Sequence, residues 1–381
     1  MPAIPYIKKK IGHSYLLWFQ NSNLYLQLEE PAWFVFSKTN KRYAAGTIAK
    51  EFSNRYSVSL EESLVFVRDI RLKIEKMNQP DNAEDKRNGI STELTEIDYT
   101  PFSVHRYRLG EKLISFSFET RLFEYYLHPL ISHFETTDEQ DDMPFFELFA
   151  YQGRIVFRVD GDVKGIWRND ETHLVKGLIF MFLVNMMHGT TDDDWLMTVH
   201  ASAITNGKKT ILFSAPPNHG KTTFAALLQA NGYQLISDDF VPVDRRTFSA
   251  YPFPIAMSVK ETSVELLASF FPALKERPVT YISPEKSVRF LAPDFKSCFQ
   301  GGAYPVREYV FIRYDKSVDF AWEKLSTLKA IKSMLDQAWV TPARGNAELL
   351  FDRVMQMSFY QLTYSDNQKA IDAIANLFDH D

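Results

Sequence analysis

The sequence predicts an α/β chain with α+β character, a P-loop domain on a mixed sheet preceded by a small winged-helix-like module. Three observations point there. A β-branched and aromatic run, Ile211-Leu212-Phe213, leads into Ser214-Ala215-Pro216-Pro217-Asn218-His219-Gly220-Lys221-Thr222-Thr223. A second apolar run, Tyr233-Gln234-Leu235-Ile236-Ser237, ends in Asp238-Asp239. Ahead of the first run stands Asn206-Gly207, a hairpin-turn dipeptide. The strand entering the loop is therefore expected as the return arm of a hairpin, which puts antiparallel pairing into the sheet.

The elements follow in order. Residues 1–79 are expected as the small module. Leu24-Tyr25-Leu26-Gln27-Leu28 and Ala32-Trp33-Phe34-Val35-Phe36 are expected as strands, with helices near 43–54 and 60–77. Ser59 with Glu62 three residues on makes a capping box for the second helix. Residues 80–100 are expected as a linker, since 79–99 carry Pro80, Asn82, Asn88 and Gly89 and six acids against two bases. The nucleotide-binding domain is expected from 101 to 381. It opens with short strands at 113–118, 145–151 and 154–159, separated by turns at Gly110, Gly153 and Gly161. The acidic tract 138–142 is expected as a solvated loop. A buried helix is expected at 174–188 and a strand at 197–204. A helix follows the loop, stopped by Gly232. Prolines bar 251–255 from a central strand. Thr262 and Glu265 suggest a capping box opening a helix over 264–271. A buried strand is expected at 309–313 and an amphipathic helix over 366–378, with Ile371, Ile374 and Phe378 on one side.

The loop, the helix after it and the acidic pair make a phosphate-plus-metal site. Backbone N–H groups and the helix N-terminus attract polyphosphate. Lys221 supplies a mobile positive charge, the Thr222 hydroxyl reaches Mg²⁺, and a strand-end aspartate completes the metal shell. The loop departs from G-x-x-x-x-G-K-[S/T] at Ala215, and Pro216-Pro217 remove two N–H donors. Asn218 tolerates a left-handed backbone and can make the turn.

Composition limits the function classes. The chain has 381 residues, 45% of them hydrophobic and 14% aromatic, enough for a sizeable core. A net charge of −5 argues against a general nucleic-acid binder. The single cysteine, Cys298, excludes a disulfide framework and fits a reducing compartment. The most apolar stretch, 174–187, is broken by Lys176, Gly177 and Asn185 and is short for a bilayer. The chain is expected in the cytoplasm, with neither membrane nor nucleic acid as partner; homo-oligomerisation is left open.

Together these features resemble the HPr serine kinase superfamily, related in fold to phosphoenolpyruvate carboxykinase. The shared pattern is a histidine-bearing strand, a hairpin, a P-loop, one helix, then a strand ending in two aspartates. Here it is carried by His200, Lys221 and Asp238-Asp239, with twenty-one residues from His200 to Lys221 and seventeen from Lys221 to Asp238. Arg158-Val159-Asp160-Gly161 and the stretch 188–203 resemble divergent HPr-kinase-like proteins found outside sugar regulation. The likeness spans roughly 150 to 265 and continues more weakly to the C-terminus. The N-terminal module separately resembles PqqD-like winged helices, which recognise leader peptides of ribosomally made, modified peptides. No segment here matches the family's later Arg-Gly-rich element, so HPr itself is a poor candidate substrate.

The resemblance implies ATP and Mg²⁺ as cofactors and phosphate transfer to a hydroxyl of a peptide, protein or small molecule, in the setting of modified-peptide biosynthesis. It implies nucleotide contacts from Ala215, Asn218, His219, Gly220, Lys221, Thr222 and Thr223. Lys221 acts on the β/γ-phosphates. Asp238 is assigned as base, His200 as its neighbour that tunes or relays the proton, and Thr222 with Asp239 as metal ligands. Lys260 and Arg245, with Arg246, are candidates for clamping phosphate or substrate; Arg289 and Arg344 rank below them. The alternative is a nucleotide-binding scaffold or sensor with a degenerate loop and no turnover.

Overall fold

The computed structural model describes residues 3–80, 92–95, 97–293 and 302–379. Most of the expected linker, and Cys298, lie outside the described residues. The chain divides into two compact units: Met1–Glu84 with Leu325–Met357, and Asp85–Lys324 with Ser358–Asp381. The first unit thus includes a C-terminal segment that the sequence reading assigned to the nucleotide-binding domain.

In the first unit β1 (Tyr6–Ile11), β2 (Ser14–Phe19) and β3 (Leu24–Glu29) form an antiparallel meander. Three helices follow: α1 (Glu30–Asn40), α2 (Ala45–Tyr56) and α3 (Leu60–Met77). Ser59 and Glu62 cap α3 reciprocally, as expected. The expected strand at 32–36 is helix α1. Pro31 sits in its first turn, where a missing N–H costs nothing. A short apolar run does not distinguish strand from helix by periodicity. Here Trp33 and Phe36 pack with Tyr15 and Phe19, closing the sheet's inner face.

The second unit has a mixed α/β architecture. One sheet runs β4 (Ser103–Leu109), β5 (Lys112–Phe118), β6 (Phe145–Tyr151), β7 (Arg154–Val159) and β8 (Asp162–Arg168). Between β5 and β6 lies α4 (Arg121–Ile131), which the sequence reading missed; Pro129 near its end hid it. Helix α5 (Thr172–His188) ends on Gly189 in the left-handed conformation. Its apolar side joins the aromatic core of this sheet, with Phe116, Phe118, Phe146 and Phe157. Glu147 and Arg158 face each other across β6 and β7, both buried, with Nε–Oε2 and Nη2–Oε1 each at 2.6 Å.

The larger sheet positions the candidate site. Part of its order is β12 (Gln234–Asp238), β10 (Ser202–Thr205), β11 (Thr210–Ser214), β16 (Tyr304–Tyr314), β14 (Ser249–Ala250), β13 (Val241–Asp244) and β9 (Trp195–Val199). β10 and β11 are the expected hairpin, with Asn206–Lys209 between the paired Thr205 and Thr210. β11 lies parallel to β16, and β16 parallel to the strand Ser358–Tyr364. The mixed pairing is as the sequence predicts. Helix α6 (Lys221–Ala230) covers this sheet through Phe224, Ala225, Leu227 and Leu228, together with Ile371, Ile374 and Phe378 of the helix Asn367–Asp379.

Two expectations are corrected. The expected strand at 197–204 is two strands, β9 and β10, broken at His200-Ala201, so the chain switches position in the sheet there. Helix α7 (Glu261–Ala268) begins directly after β15 (Met257–Lys260), with Lys260 at its N-cap and no side-chain cap. The capping box expected from Thr262 and Glu265 does not form, because both residues already lie inside the helix. Among the described residues no helix is long and apolar enough to cross a membrane.

Candidate functional site

The site forms where β10, β12 and the N-terminus of α6 meet. Gly220 caps α6 with φ +89°. A Cβ there would meet the Tyr314 Cβ at 3.3 Å, so close approach as well as backbone angle selects glycine. Asn218 adopts φ +71°, the left-handed turn expected of it. The loop is braced from within: the His219 N–H donates to the Pro216 carbonyl, and its carbonyl accepts from the Tyr314 N–H at 3.1 Å.

Lys221 opens α6 and its ammonium reaches both acids of the pair. It lies 2.9 Å from Asp238 Oδ1 and also bonds Asp239 Oδ1. Adjacent residues on a regular strand point to opposite faces. Asp239 escapes that rule because its backbone turns to φ +70°, which brings its carboxylate round beside its neighbour's. A non-glycine residue in this region carries strain of about 1–3 kcal/mol, of the kind found at functional sites. Asp238 is only 2% exposed. It accepts from Thr222 Oγ1 at 2.9 Å and from the buried Ser202 hydroxyl, which β10 sets directly opposite it.

Electrostatics bind the cluster together. Burial alone would lower the Lys221 pKa, but Asp238 and Asp239 outweigh it and hold the ammonium above its ordinary range. Burial likewise pushes Asp239 up, yet Lys221, His200 and Lys176 prevail and bring it down to about 2. Lys221 and Asp239 are therefore both charged near neutrality. Oxygen donors from Thr222, Asp238 and Asp239 are the type a hard cation such as Mg²⁺ prefers.

The other expected residues divide. His200 sits at the break between β9 and β10; its Nδ1–H donates to the Asp239 carbonyl at 3.1 Å, and Nε2 lies 4.0 Å from Asp239 Oδ1. It is thus beside Asp239, whereas the sequence reading set it beside Asp238. Lys260 reaches the loop and bonds Asn218 Oδ1. Ala215 and His219 lie in the loop, and the His219 ring turns back to the Pro217 carbonyl at 2.9 Å. Thr223 points away, bonding Ser263 of α7 at 2.9 Å. Arg245 lies outside the cluster: β13 carries the chain from Val241, next to the acids, to Asp244, and the Arg245 N–H then bonds the Asp194 carbonyl. Arg246 pairs with Asp194 at 3.6 Å. Arg289 is held by Glu261 at 2.9 Å, and Arg344 belongs to the first unit, 3.3 Å from Glu348.

Two residues were not singled out from sequence. Ser202 is one; a hydroxyl two residues after His200 was its only signal. Lys176 is the other, a lone cation in the apolar α5. Desolvation lowers its pKa, opposed by the attraction of Asp239, and it retains solvent access. A lysine interrupting an apolar helix was the legible hint.

No protein-family model matches the chain, and no curated protein matches it. Among solved structures it is similar to the HPr(Ser) kinase/phosphatase from Coxiella burnetii, at 10% identity and a TM-score of 0.23, over 47% of this chain and 88% of that one. A likeness at that score carries no weight for function, which rests on the residues above.

Proposed function

We propose that the second unit binds ATP with Mg²⁺ and transfers the terminal phosphoryl group to a hydroxyl of a peptide, protein or small molecule. The observation that carries this is the convergence of Lys221, Thr222, Asp238 and Asp239 at the mouth of a loop ending in a helix N-terminus. In this reading the Lys221 ammonium exchanges its carboxylate partners for the β/γ-phosphates. Free N–H groups of the loop and of the first turn of α6 hold phosphate oxygens. Mg²⁺ supplies charge neutralisation of the transferring phosphoryl group. The acceptor oxygen forms a bond to the γ-phosphorus, the bond to the ADP oxygen breaks, and the hydroxyl proton passes to a carboxylate.

The geometry favours the reverse of the sequence assignment for the two acids. Asp238 is buried against Thr222, which suits the metal side. Asp239 keeps 38% of its side chain exposed with His200 beside it, which suits the proton acceptor. Lys176 and Lys260 are proposed to meet phosphate or an anionic part of the acceptor. Leader-peptide binding by the first unit belongs to the same proposal, supported by its small sheet and three helices.

A second reading is a nucleotide sensor without turnover. It is favoured by the loop itself, where Pro216 and Pro217 lack donors and the His219 N–H is already spent on Pro216. Incubation with γ-labelled ATP, Mg²⁺ and a panel of hydroxyl acceptors separates the two. Label transfer that Asp239→Asn abolishes while ATP still binds supports the kinase. Nucleotide binding without transfer to any acceptor supports the sensor.

A further inference from the structure

Away from the phosphate cluster, in the sheet β4 to β8, two histidines and two glutamates converge. His105 projects from β4. Glu124 and His128 come from α4, and their i, i+4 spacing puts them on one helix face. Glu135 follows the 3₁₀ turn Ser132–Phe134, and its backbone is bridged to Tyr107 of β4. One ligand atom each from His105, His128 and Glu135 lies within 4.8 Å of the other two.

The second layer is also built. His105 Nδ1 is 2.6 Å from Glu135 Oε1, and its Nε2 is 2.6 Å from Glu124 Oε1. His128 Nδ1 is 2.8 Å from the hydroxyl of Tyr107, a fully buried residue. This leaves His128 Nε2 as that ring's second donor. The two imidazoles stack 4.2 Å apart. Metal-bound histidines characteristically donate their other N–H to a carboxylate or another oxygen, which fixes tautomer and ring orientation. Glu124 on His105 and Tyr107 on His128 have that relation.

We propose that His105, His128 and Glu135 bind one zinc ion, with Glu124 and Tyr107 orienting the imidazoles. Two imidazoles and one carboxylate are a zinc donor set that leaves a fourth position for water. Imidazole nitrogen disfavours Mg²⁺, so the site is chemically distinct from the oxygen cluster around Asp238. Glu135, the most exposed of the group at 45%, is the ligand free to swing onto an arriving ion. The ion ties β4, α4 and the segment after α4 into one unit.

The test is calorimetric titration of the chelator-treated full chain with zinc chloride, with melting temperature followed in parallel. The expected result is one zinc per chain and a raised Tm. In His128→Ala and in Glu135→Gln the affinity falls at least about 10-fold, and the Tm gain is lost. Glu135→Gln changes a half-exposed side chain, so it carries the test if His128→Ala fails to fold. Asp239→Asn, in the phosphate cluster, leaves zinc uptake unchanged. Absence of uptake, uptake equal in wild type and Glu135→Gln, or uptake abolished by Asp239→Asn overturns the proposal.

Discussion

Removing the Lys221 side chain takes away the only cation, among the described residues, that bonds both carboxylates. Its own side chain is 11% exposed and Asp238 is 2% exposed. Breaking a buried ion pair from one side costs about 3–5 kcal/mol, because the surviving charge keeps its desolvation penalty. Lys221→Ala is therefore expected to lower unfolding free energy by about 3 kcal/mol in urea denaturation. A change under about 0.5 kcal/mol, the range of ordinary surface substitutions, would argue that the cluster is solvated. The acid limb has a defined sign. The folded pKa of Asp239 is depressed to about 2, so its contribution is fully present above its ordinary value near 3.8 and is lost as pH falls through 2. Wild type is expected to lose stability steeply between those values, and Asp239→Asn to lose less, as seen by pH-jump denaturation. Lys221, Thr222, Asp238 and Asp239 were legible because each lies within a short motif whose spacing implies its chemistry. Ser202 and Lys176 were not. Ser202 meets Asp238 only through the β10–β12 register, and Lys176 approaches Asp239 only through the packing of α5.

At the scale of elements, the loop-to-helix junction depends on two left-handed residues. Gly220→Ala forces a side chain into φ +89° and against Tyr314 at 3.3 Å. It is expected to destabilise by about 1–2 kcal/mol and to weaken nucleotide binding more than Asn218→Gly, which keeps the required backbone freedom. Comparative thermal melts and ATP titrations of the two variants check this. The β6–β7 pair offers a second test. Arg158→Ala leaves Glu147 buried and unpaired and is expected to cost about 3 kcal/mol, whereas exposed Arg168→Ala is expected to be near neutral. The hairpin β10–β11, helix α6 and the tail helix were readable because turn dipeptide and apolar periodicity agree locally. Helix α1 was misread since five apolar residues in a row satisfy a strand and a buried helix equally, and only packing against Tyr15 and Phe19 decides. The break at His200-Ala201 was invisible for a related reason. The residues either side of it, Thr198-Val199 and Ser202-Ala203, are all buried and compatible with a continuous strand, and it is the sheet order that separates β9 from β10.

Across the whole molecule, a chain with net charge −5 bonds Lys221 to one acidic pair and sets Lys176 and Lys260 within the field of Asp239. A cluster of cations of that kind on an acidic protein depends on local placement rather than bulk charge, which is why composition could not reveal it. The mixed sheet and the hairpin entry to the loop were legible as architecture. The grouping of Leu325–Met357 with the N-terminal unit was not, because nothing in its composition marks a return of the chain. In the proposed function Lys221 and the paired carboxylates hold a magnesium-bound triphosphate. Calorimetric titration of the full chain with ATP, with and without Mg²⁺, tests this. The expected result is one ATP per chain, dependent on Mg²⁺, tightest for wild type and lost in Lys221→Ala variants shown to be folded by circular dichroism. ATP binding that is absent from wild type, or that persists unchanged without Lys221, contradicts it.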